Sequence, residues 1–299
     1  MRIEYEKQAQ LAIRVLTHIS KEKGFALKGG TAINFFLRDL PRLSVDIDLA
    51  YMKFEPRAEA IANINSLLDK ILRSLKADGI KSEITVKSEN MRKINCYTDD
   101  TQIKIDTNYI SRGYAFEPII KPINPKITGD FEFVEMQLVS VAELYGGKIC
   151  AALDRQHPRD LFDIKILFDN EGLTEEIKNG FIVCLLGDNG APYELLNPHI
   201  KDQREVLRIG FDGMTDVKFT YADHEKALQK LIKTLHKSLT AADKEFLLSF
   251  FSLQSKWDLV DIPNLQKLPA VQWKIKNLEK MPKERFEEHL RKTKEAFAR

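Results

Sequence analysis

The sequence has few cysteines, and those it has are scattered. Cys96, Cys150 and Cys184 are the whole set in 299 residues, and no two of them have the close spacing of a metal-binding or disulfide pair. An odd and sparse set argues against a disulfide framework and against a structural zinc site. Cys150 and Cys184 lie in apolar stretches, so we expect them to be small core residues.

Long apolar runs are also missing. The longest, such as residues 181–186, are far too short to span a bilayer. Residues 1–7 are charged and lack the apolar core of a secretory signal. We therefore expect a cytoplasmic protein with no membrane partner.

Neither sign of charge dominates the chain. The 46 basic and 44 acidic residues give a formal net charge of +2, so the protein is not a polycation that coats nucleic acid indiscriminately. Lys and Arg are nevertheless concentrated in residues 274–299, where they alternate with Glu. Such a segment is either a solvated helix face or a local phosphate-binding patch.

The order of the predicted elements indicates an α/β (α+β) protein in two parts. Apolar periodicity and Gly/Pro breaks predict helices at 5–23, 32–37, 56–77, 141–153, 158–168, 223–237, 241–251 and 282–297, and strands at 25–27, 44–51, 83–87, 93–97 and 102–109. Prolines and Gly129 predict a loop with short edge strands over 116–136. We predict a catalytic domain with a mixed sheet and flanking helices at 1–170, and a mostly helical domain at 171–299.

An acidic strand is the first candidate for chemistry. In residues 44–51 (SVDIDLAY) apolar and polar residues alternate, so Asp46 and Asp48 project from the same face as Ser44. Two close carboxylates repel each other unless a cation lies between them, and Mg²⁺ prefers one or two carboxylates plus substrate phosphates. The alternative for an isolated Asp-x-Asp is a merely solvated strand.

Paired glycines precede that strand. Gly29 and Gly30 follow a short buried strand, and Thr31 is placed to cap the next helix. Glycines let the backbone approach a phosphate, and a helix N-terminus presents free N–H groups to it. A tight strand-to-helix turn would need at least one glycine in any case, so both interpretations remain open.

A third carboxylate lies on a later strand. Lys104 and Asp106 share one face of that strand, opposite Ile103 and Ile105. If this strand neighbours the acidic strand, Asp106 would lie beside Asp46 and Asp48. Three convergent carboxylates can hold two metal ions, which activate an attacking oxygen and stabilise a leaving pyrophosphate.

Cations and one further acid follow on two predicted helices. Lys148 lies on an otherwise apolar helix (YGGKICAAL), and Arg155, Arg159 and Asp160 follow in DRQHPRDLFDI. Cations beside triphosphate oxygens would offset the charge that develops in a transition state. His157, before a proline, is expected to be a helix-entry residue.

Ordinary salt bridges are the alternative for these cations. Lys148 would then pair with Glu143 or Asp154, and Arg159 with Asp163 at the spacing of one helical turn. The residue types alone do not distinguish the two interpretations.

The motifs together resemble a known family. Residues 27–32 (LKGGTA), 42–49 (RLSVDIDL), 104–106 (KID) and the helices at 148–163 look like the AbiEii/AbiGii toxins, the MenT-like branch of the DNA polymerase β-type nucleotidyltransferase superfamily. The resemblance covers about residues 1–170. It implies a bilobal α/β enzyme that uses Mg²⁺ and a nucleoside triphosphate. Members are toxins of bacterial toxin–antitoxin and abortive-infection systems, and some add nucleotides to the 3′ end of tRNA.

The resemblance also implies roles for individual residues. The triphosphate would be held by Gly29, Gly30, Thr31 and Lys148, with Ser44 at the nucleotide site and Arg155 and Arg159 nearby. Asp46, Asp48 and Asp106 would ligate metal, and Asp160 would complete the site.

The main hypothesis is a nucleotidyltransferase toxin that acts on tRNA or another RNA and has a cognate antitoxin. An acceptor hydroxyl would attack the α-phosphate in line, with Asp106 placed to help deprotonate it. The basic C-terminal helices would form a wall of an RNA cleft, while Trp257 and Trp273 are expected to serve the core. The alternatives are a protein or small-molecule acceptor, or a non-catalytic binding module with the same fold.

Overall fold

The computed structural model describes residues 3–86, 91–128 and 133–298. The chain begins with α1 (Ile3–Ile19), β1 (Phe25–Lys28), α2 (Gly29–Ala32), a π-helical segment (Ile33–Leu37), β2 (Asp46–Tyr51) and α3 (Arg57–Ala77). It continues with β3 (Lys81–Val86), β4 (Arg92–Tyr97), β5 (Gln102–Asn108), β6 (Ile119–Pro122), α4 (Pro125–Thr128) and β7 (Glu135–Leu138). These elements belong to one compact unit, which comprises Met1–Ser140 and Asp212–Lys218.

The strands form a single mixed sheet of seven strands in the order β3-β4-β5-β2-β1-β7-β6. The central strand β2 pairs in parallel with β5 and antiparallel with β1. Strand β7 pairs in parallel with β1 and antiparallel with β6. The acidic strand therefore lies in the interior of the sheet, with a neighbour on each side.

Two amphipathic helices cover this sheet. Helix α3 buries an apolar stripe at helical spacing and contacts β3 and β4, while α1 contacts α3 and β5. The buried stripe of α3 consists of Ala60, Ile64, Leu68, Ile71 and Leu75. The stripe predicted for α1 is buried as expected, at Leu11, Val15 and Ile19. Apolar residues three and four apart lie on one side of a helix, so α3 buries one side only, whereas α1 also buries Ala12, Ile13 and Leu16.

The second compact unit comprises Val141–Phe211 and Phe219–Arg299 and is helical. Its helices are α5 (Val141–Arg155), α6 (Pro158–Asp169), α7 (Glu175–Gly187), α8 (Pro192–Leu196), α9 (Arg204–Gly210), α10 (Tyr221–Ser238), α11 (Ala241–Phe251), α12 (Pro269–Glu279) and α13 (Lys283–Phe297). Short 3₁₀ turns lie at Trp257–Leu259 and Leu265–Lys267. Capping boxes with Thr220 and Thr240 at the N-caps begin α10 and α11. Compact units need not coincide with domains, and the predicted division at residue 170 stays a prediction.

The predicted α/β fold class is confirmed, with differences in detail. Helix α1 ends at Ile19 rather than Lys23, and β2 begins at Asp46 rather than Ser44. The segment predicted to hold short edge strands contains β6, which forms an edge of the sheet, whereas β7 lies between β1 and β6. Parts of the predicted segments lie outside the described residues, namely residues 1–2, 87, 129–132 and 299.

Two further expectations concern the cysteines and the membrane. Cys96 and Cys150 are buried and Cys184 is half-buried, all as free thiols. Burial raises the pKa of the Cys96 thiol to about 12. Within the three described ranges, no helix has both the length and the apolar character needed to cross a bilayer.

Helices α5 and α7 approach each other closely through glycine. A Cβ atom on Gly146 would lie 2.2 Å from the carbonyl carbon of Gly180, and one on Gly180 would lie 1.9 Å from the carbonyl oxygen of Ala142. The clashing atoms are backbone, so they cannot move aside as a side chain would. The adjacent Gly147 differs, since a Cβ there would meet only Cys184 Sγ at 3.8 Å.

Adjacent glycines on α5 should therefore respond in opposite directions to alanine. Gly146→Ala should lower the free energy of unfolding by about 3 kcal/mol, because the helices must separate. Gly147→Ala should raise it by about 0.5–1 kcal/mol, since alanine favours the helix and meets no obstacle. Urea denaturation followed by circular dichroism measures both. Equal effects of the two substitutions would contradict this account of the α5–α7 contact.

Candidate active site

The glycine turn lies against one carboxylate of the acidic strand. Gly29 follows β1 directly and has φ of +76°, a left-handed conformation that favours glycine. A Cβ atom there would lie 2.5 Å from Asp48 Oδ2. A Cβ on Gly30 would lie 2.9 Å from Ser44 Oγ and 2.7 Å from a guanidinium nitrogen of Arg42. Both glycines are therefore needed for the close approach of this turn to β2 and the residues before it.

Thr31 does not cap the helix, so this prediction was wrong. The helix begins earlier, with Lys28 at the N-cap and no side-chain capping bond. The hydroxyl of Thr31, fully buried, forms hydrogen bonds with Ser44 Oγ at 3.0 Å and with the carbonyl oxygen of Asp46. Thr31 and Ser44 therefore tie the glycine turn to the start of the acidic strand.

Four charged residues form one row across four neighbouring strands. The register pairs Lys28 of β1 with Asp48 of β2, and Asp48 with Asp106 of β5. Strands β4 and β5 are antiparallel, and Ile94 pairs with Ile105, so the next position in the register brings Lys93 beside Asp106. The Lys93 ammonium forms an ion pair with the Asp106 carboxylate. Directly paired residues project from the same face of a sheet. The row therefore reads lysine, aspartate, aspartate, lysine.

This row lines a pocket of about 310 Å³. Lys28, Asp48, Lys93 and Asp106 all contribute to its wall. The Asp106 side chain keeps 40% of its surface exposed and that of Lys93 keeps 19%. The carboxylate oxygens thus face a solvent-accessible space, next to the glycine turn.

Asp46 lies beside this pair rather than in the row. It is exposed, and its backbone partner on β5 is Lys104, two residues before Asp106. Over residues 3–86, 91–128 and 133–298, no three or more His, Cys, Asp or Glu side chains are placed to share a metal ion. The predicted meeting of the acidic strand with Asp106 is seen for Asp48. The roles of Asp46, Asp48 and Asp106 as metal ligands all stay predictions.

The predicted cation and acid of the later helices lie in the second unit. Lys148 of α5 is buried and forms ion pairs with Asp160 at 3.0 Å and Asp163 at 2.8 Å, both on α6. Burial alone would raise the pKa of Asp160, but the charge of Lys148 and the hydrogen bonds of Arg155 hold it well below its ordinary value. Lys148 thus pairs with Asp160 and Asp163, and with neither Glu143 nor Asp154 in the ion pairs of the described residues.

The remaining candidates lie at the end of α5 and the start of α6. Arg155, largely exposed, binds Asp160 through two nitrogens, at 2.6 and 3.0 Å. His157 is the N-cap and accepts a hydrogen bond from the backbone N–H of Arg159 at 3.1 Å, so its helix-entry role is confirmed. Arg159 is half-buried on the first turn. Contact of these residues with phosphate stays a prediction.

The basic C-terminal segment divides its charges between two helices. On α13, three lysines or arginines pair with glutamates one turn away, namely Lys283–Glu287, Arg291–Glu295 and Lys292–Glu288.

The two tryptophans differ in their surroundings. On α12, Trp273 is 44% exposed, so its predicted core position was wrong. Trp257 does pack on Phe246 and Phe250.

The two lysines of the row were not singled out from the sequence. Lys93 lies in an alternating run, and its spacing to Asn95 and Tyr97 shows which residues share its face. Its partner depends on the antiparallel register of β4 with β5, which no local pattern specifies. Lys28 directly precedes Gly29 and Gly30, and the sequence pattern gives it no role apart from the LKGGTA motif.

A carboxylate pair on adjacent strands, next to a glycine turn in a mixed sheet, is the arrangement expected for a nucleotidyltransferase. The chain belongs to the family described as nucleotidyl transferase AbiEii toxin, type IV toxin–antitoxin system, whose model matches residues 12–277. It is accordingly a nucleotidyltransferase toxin of that type, as its motifs indicated.

Among solved structures, the fold is similar to that of MenT4, a nucleotidyltransferase toxin from Mycobacterium tuberculosis H37Rv. The TM-score is 0.61 at 13% sequence identity, and the match covers 82% of this chain and 88% of the other. At this identity the likeness concerns the fold alone. A search of curated proteins found no significant match.

The closeness of Gly29 to Asp48 should matter for the reaction more than for stability. Gly29→Ala and Gly79→Ala both place alanine at positive φ, +76° and +73°, but a Cβ on Gly79 meets nothing within 4 Å. Each should cost about 1 kcal/mol or more of unfolding free energy. Gly29→Ala alone should displace the Asp48 carboxylate and reduce nucleotide transfer by about 100-fold or more. Urea titrations and a transfer assay on both variants test this, and wild-type transfer by Gly29→Ala would refute it.

Proposed function

We propose that this protein transfers a nucleoside monophosphate from a nucleoside triphosphate to an RNA acceptor such as the 3′ end of tRNA, with Mg²⁺ as cofactor. The observation that supports the proposal most is the row of Lys28, Asp48, Asp106 and Lys93 beside the Gly29–Gly30 turn. It combines oxygen ligands for a cation with cations for a polyphosphate in one pocket.

The residues of the row suit magnesium. Mg²⁺ takes oxygen ligands and is commonly held by one or two carboxylates plus substrate phosphates, which is the donor set that Asp48 and Asp106 offer. Asp46, on the same strand face as Asp48, would be the third ligand. When bound, Mg²⁺ would withdraw charge from the phosphate oxygens and favour the departure of pyrophosphate.

The triphosphate would lie along the glycine turn. Without side chains, Gly29 and Gly30 leave their backbone open to close approach by phosphate oxygens. Lys28 and Lys93 flank the carboxylates and would balance the remaining phosphate charge. Thr31 and Ser44 would hold the turn in place through their hydrogen bond of 3.0 Å.

Further phosphate-binding groups are proposed on α5 and α6. They are Lys148, Arg155 and Arg159, with Asp160 as the acid that the resemblance assigns to nucleotide binding. Asp160 binds Lys148 and Arg155 at 2.6–3.0 Å, so it fixes the orientation of both cations. A cation held in one orientation loses less conformational entropy when it binds an anion.

In the reaction itself, the acceptor hydroxyl oxygen would attack the α-phosphorus in line. One P–O bond to the acceptor forms as the bond to pyrophosphate breaks, and Asp106 would help to remove the hydroxyl proton, directly or through its metal. Asp106 is suited to this role because its carboxylate is 40% exposed and faces the pocket. The close fit of Gly29 against Asp48 would fix the position of the triphosphate relative to both aspartates.

One surface of the helical unit favours RNA as the acceptor. The exposed Trp273 is followed on α12 by the exposed Lys276 and then by Lys280 at the helix end, at spacings of three and four residues. These spacings place the indole and both ammonium groups on one side of the helix. An aromatic ring for base stacking with adjacent cations for phosphates is typical of single-stranded nucleic acid binding.

The family also bears on partners and location. A type IV toxin–antitoxin system includes an antitoxin, so we propose a cognate antitoxin for this chain and a role in abortive infection. We propose the cytoplasm as the place of action, where nucleoside triphosphates and tRNA are both found.

Label transfer tests the proposed reaction. With α-³²P-labelled triphosphates and total cellular RNA, label should enter RNA rather than protein or small molecules. Asp48→Asn and Asp106→Asn should each reduce transfer by about 100-fold or more. Asp99→Asn is the matched control, since Asp99 is exposed, pairs with Lys81 at 3.2 Å outside the pocket, and its loss should leave transfer nearly unchanged. Label in protein alone would refute the RNA acceptor, and wild-type transfer by both row variants would refute the site.

The α12 surface has a separate test. Trp273→Ala should raise the KM for RNA about fivefold or more with little change in kcat, because stacking is worth about 1–3 kcal/mol per base. Ile209→Ala is the control, as Ile209 is 59% exposed in the same unit but has no ring to stack. Steady-state kinetics with saturating triphosphate gives both constants. An unchanged KM in Trp273→Ala would exclude this surface from RNA binding.

A further inference from the structure

The ion pair between Lys93 and Asp106 is the feature of the pocket that the reaction described above does not use. Asp48 and Asp106 are direct neighbours in the parallel register of β2 with β5. Lys93 reaches Asp106 from the other side, on β4. Its side chain is 19% exposed, so its ammonium is held at the site rather than extended into solvent.

A lysine ammonium and a divalent cation compete for the same carboxylate oxygens. Each neutralises the repulsion between adjacent carboxylates, and each needs the lone pairs of Asp106. The ammonium carries a single charge and is strongly hydrated, so it yields to a divalent cation more readily than a fixed guanidinium would. The geometry therefore describes two alternative counter-ions for one carboxylate.

We propose that Lys93 is the internal counter-ion of this site: it holds Asp106 until a divalent cation takes that carboxylate, and it thereby weakens and sets the affinity for the cation. The inference rests on the proposed function, because it assumes that Asp48 and Asp106 are the cation's ligands. Lys93 is on this account a positioning residue, which orients Asp106 and does not itself react.

Position distinguishes Lys93 from the other lysines on this face of the sheet. Lys28 is in register with Asp48 but forms no ion pair with any residue that the structure describes. Lys104 is exposed, and its backbone partner is Asp46. Lys93 alone combines adjacency in the row with an ion pair to a carboxylate of the row.

Displacement of Lys93 would also change the pocket. Once released from Asp106, the ammonium remains tethered on β4 and still lines the same space. A triphosphate that arrives with its cation would then meet a lysine that the carboxylate no longer neutralises. Cation binding and polyphosphate binding would in this way favour each other.

Cation affinity without nucleotide tests the proposal directly. Mn²⁺ is titrated into the full-length protein and the free ion is measured by electron paramagnetic resonance. Lys93→Met should bind Mn²⁺ about fivefold more tightly than wild type, since the competing ammonium is gone. Lys93→Arg, which keeps the charge, should bind no more tightly than wild type.

Two controls separate the specific ion pair from general charge and from the site itself. Lys81→Met removes a lysine that pairs with Asp99 at 3.2 Å on another part of the sheet, and should leave the Mn²⁺ affinity within about twofold of wild type. Asp48→Asn should abolish tight binding in both the wild-type and the Lys93→Met backgrounds. Circular dichroism melts check the folding of each variant, with Lys93→Gln as a second substitution if Lys93→Met is unstable.

The possible outcomes are distinct. Tighter binding by Lys93→Met alone supports the proposal. Affinity within twofold of wild type in Lys93→Met, with binding still dependent on Asp48, overturns it and leaves the proposed function intact. Absence of Asp48-dependent binding in every variant overturns both.

Discussion

The parallel pairing of β2 with β5 is the constraint on which the site depends. It places Asp48 directly beside Asp106, although the two residues are 58 positions apart in the chain. Neighbouring strands lie about 4.8 Å apart, and a shift of one residue would turn one carboxylate to the opposite face. The buried residues on the other face, Ile47 and Ile105, oppose such a shift because they would have to leave the core. The apolar face of the sheet therefore fixes the geometry of its polar face.

This arrangement has an electrostatic cost that the surrounding residues offset. Two unit charges about 5 Å apart repel by about 3 kcal/mol at an effective dielectric constant of about 20, before screening by bulk water. The flanking lysines at 28 and 93 reduce that repulsion in the folded protein. A similar solution appears in the helical unit, where Lys148 lies between two aspartates of α6. In both units, acidic residues that lie close together form ion pairs with a lysine from a neighbouring element.

Much of this could be predicted from the sequence, for physical reasons. Strand alternation places Asp46 and Asp48 on one face, and the paired glycines mark a turn without side chains. Pairing between distant segments could not be predicted in the same way. The partner of Lys93 depends on an antiparallel register. The hydroxyl of Thr31 turns toward Ser44 because the helix starts three residues earlier than a cap at Thr31 would allow. Local patterns specify faces and breaks, whereas tertiary packing decides which faces meet.

The contact between α5 and α7 has a consequence for genetics. Every missense change of a glycine codon adds at least one carbon atom, and neither Gly146 nor Gly180 has room for one. A selection for bacteria that survive expression of this toxin would therefore recover changes at these codons as well as at the acidic ones. Survivors of the two kinds would look alike on a plate. The amount of folded protein in the cell would distinguish variants that disrupt the α5–α7 contact from variants that fold but lack the acidic residues.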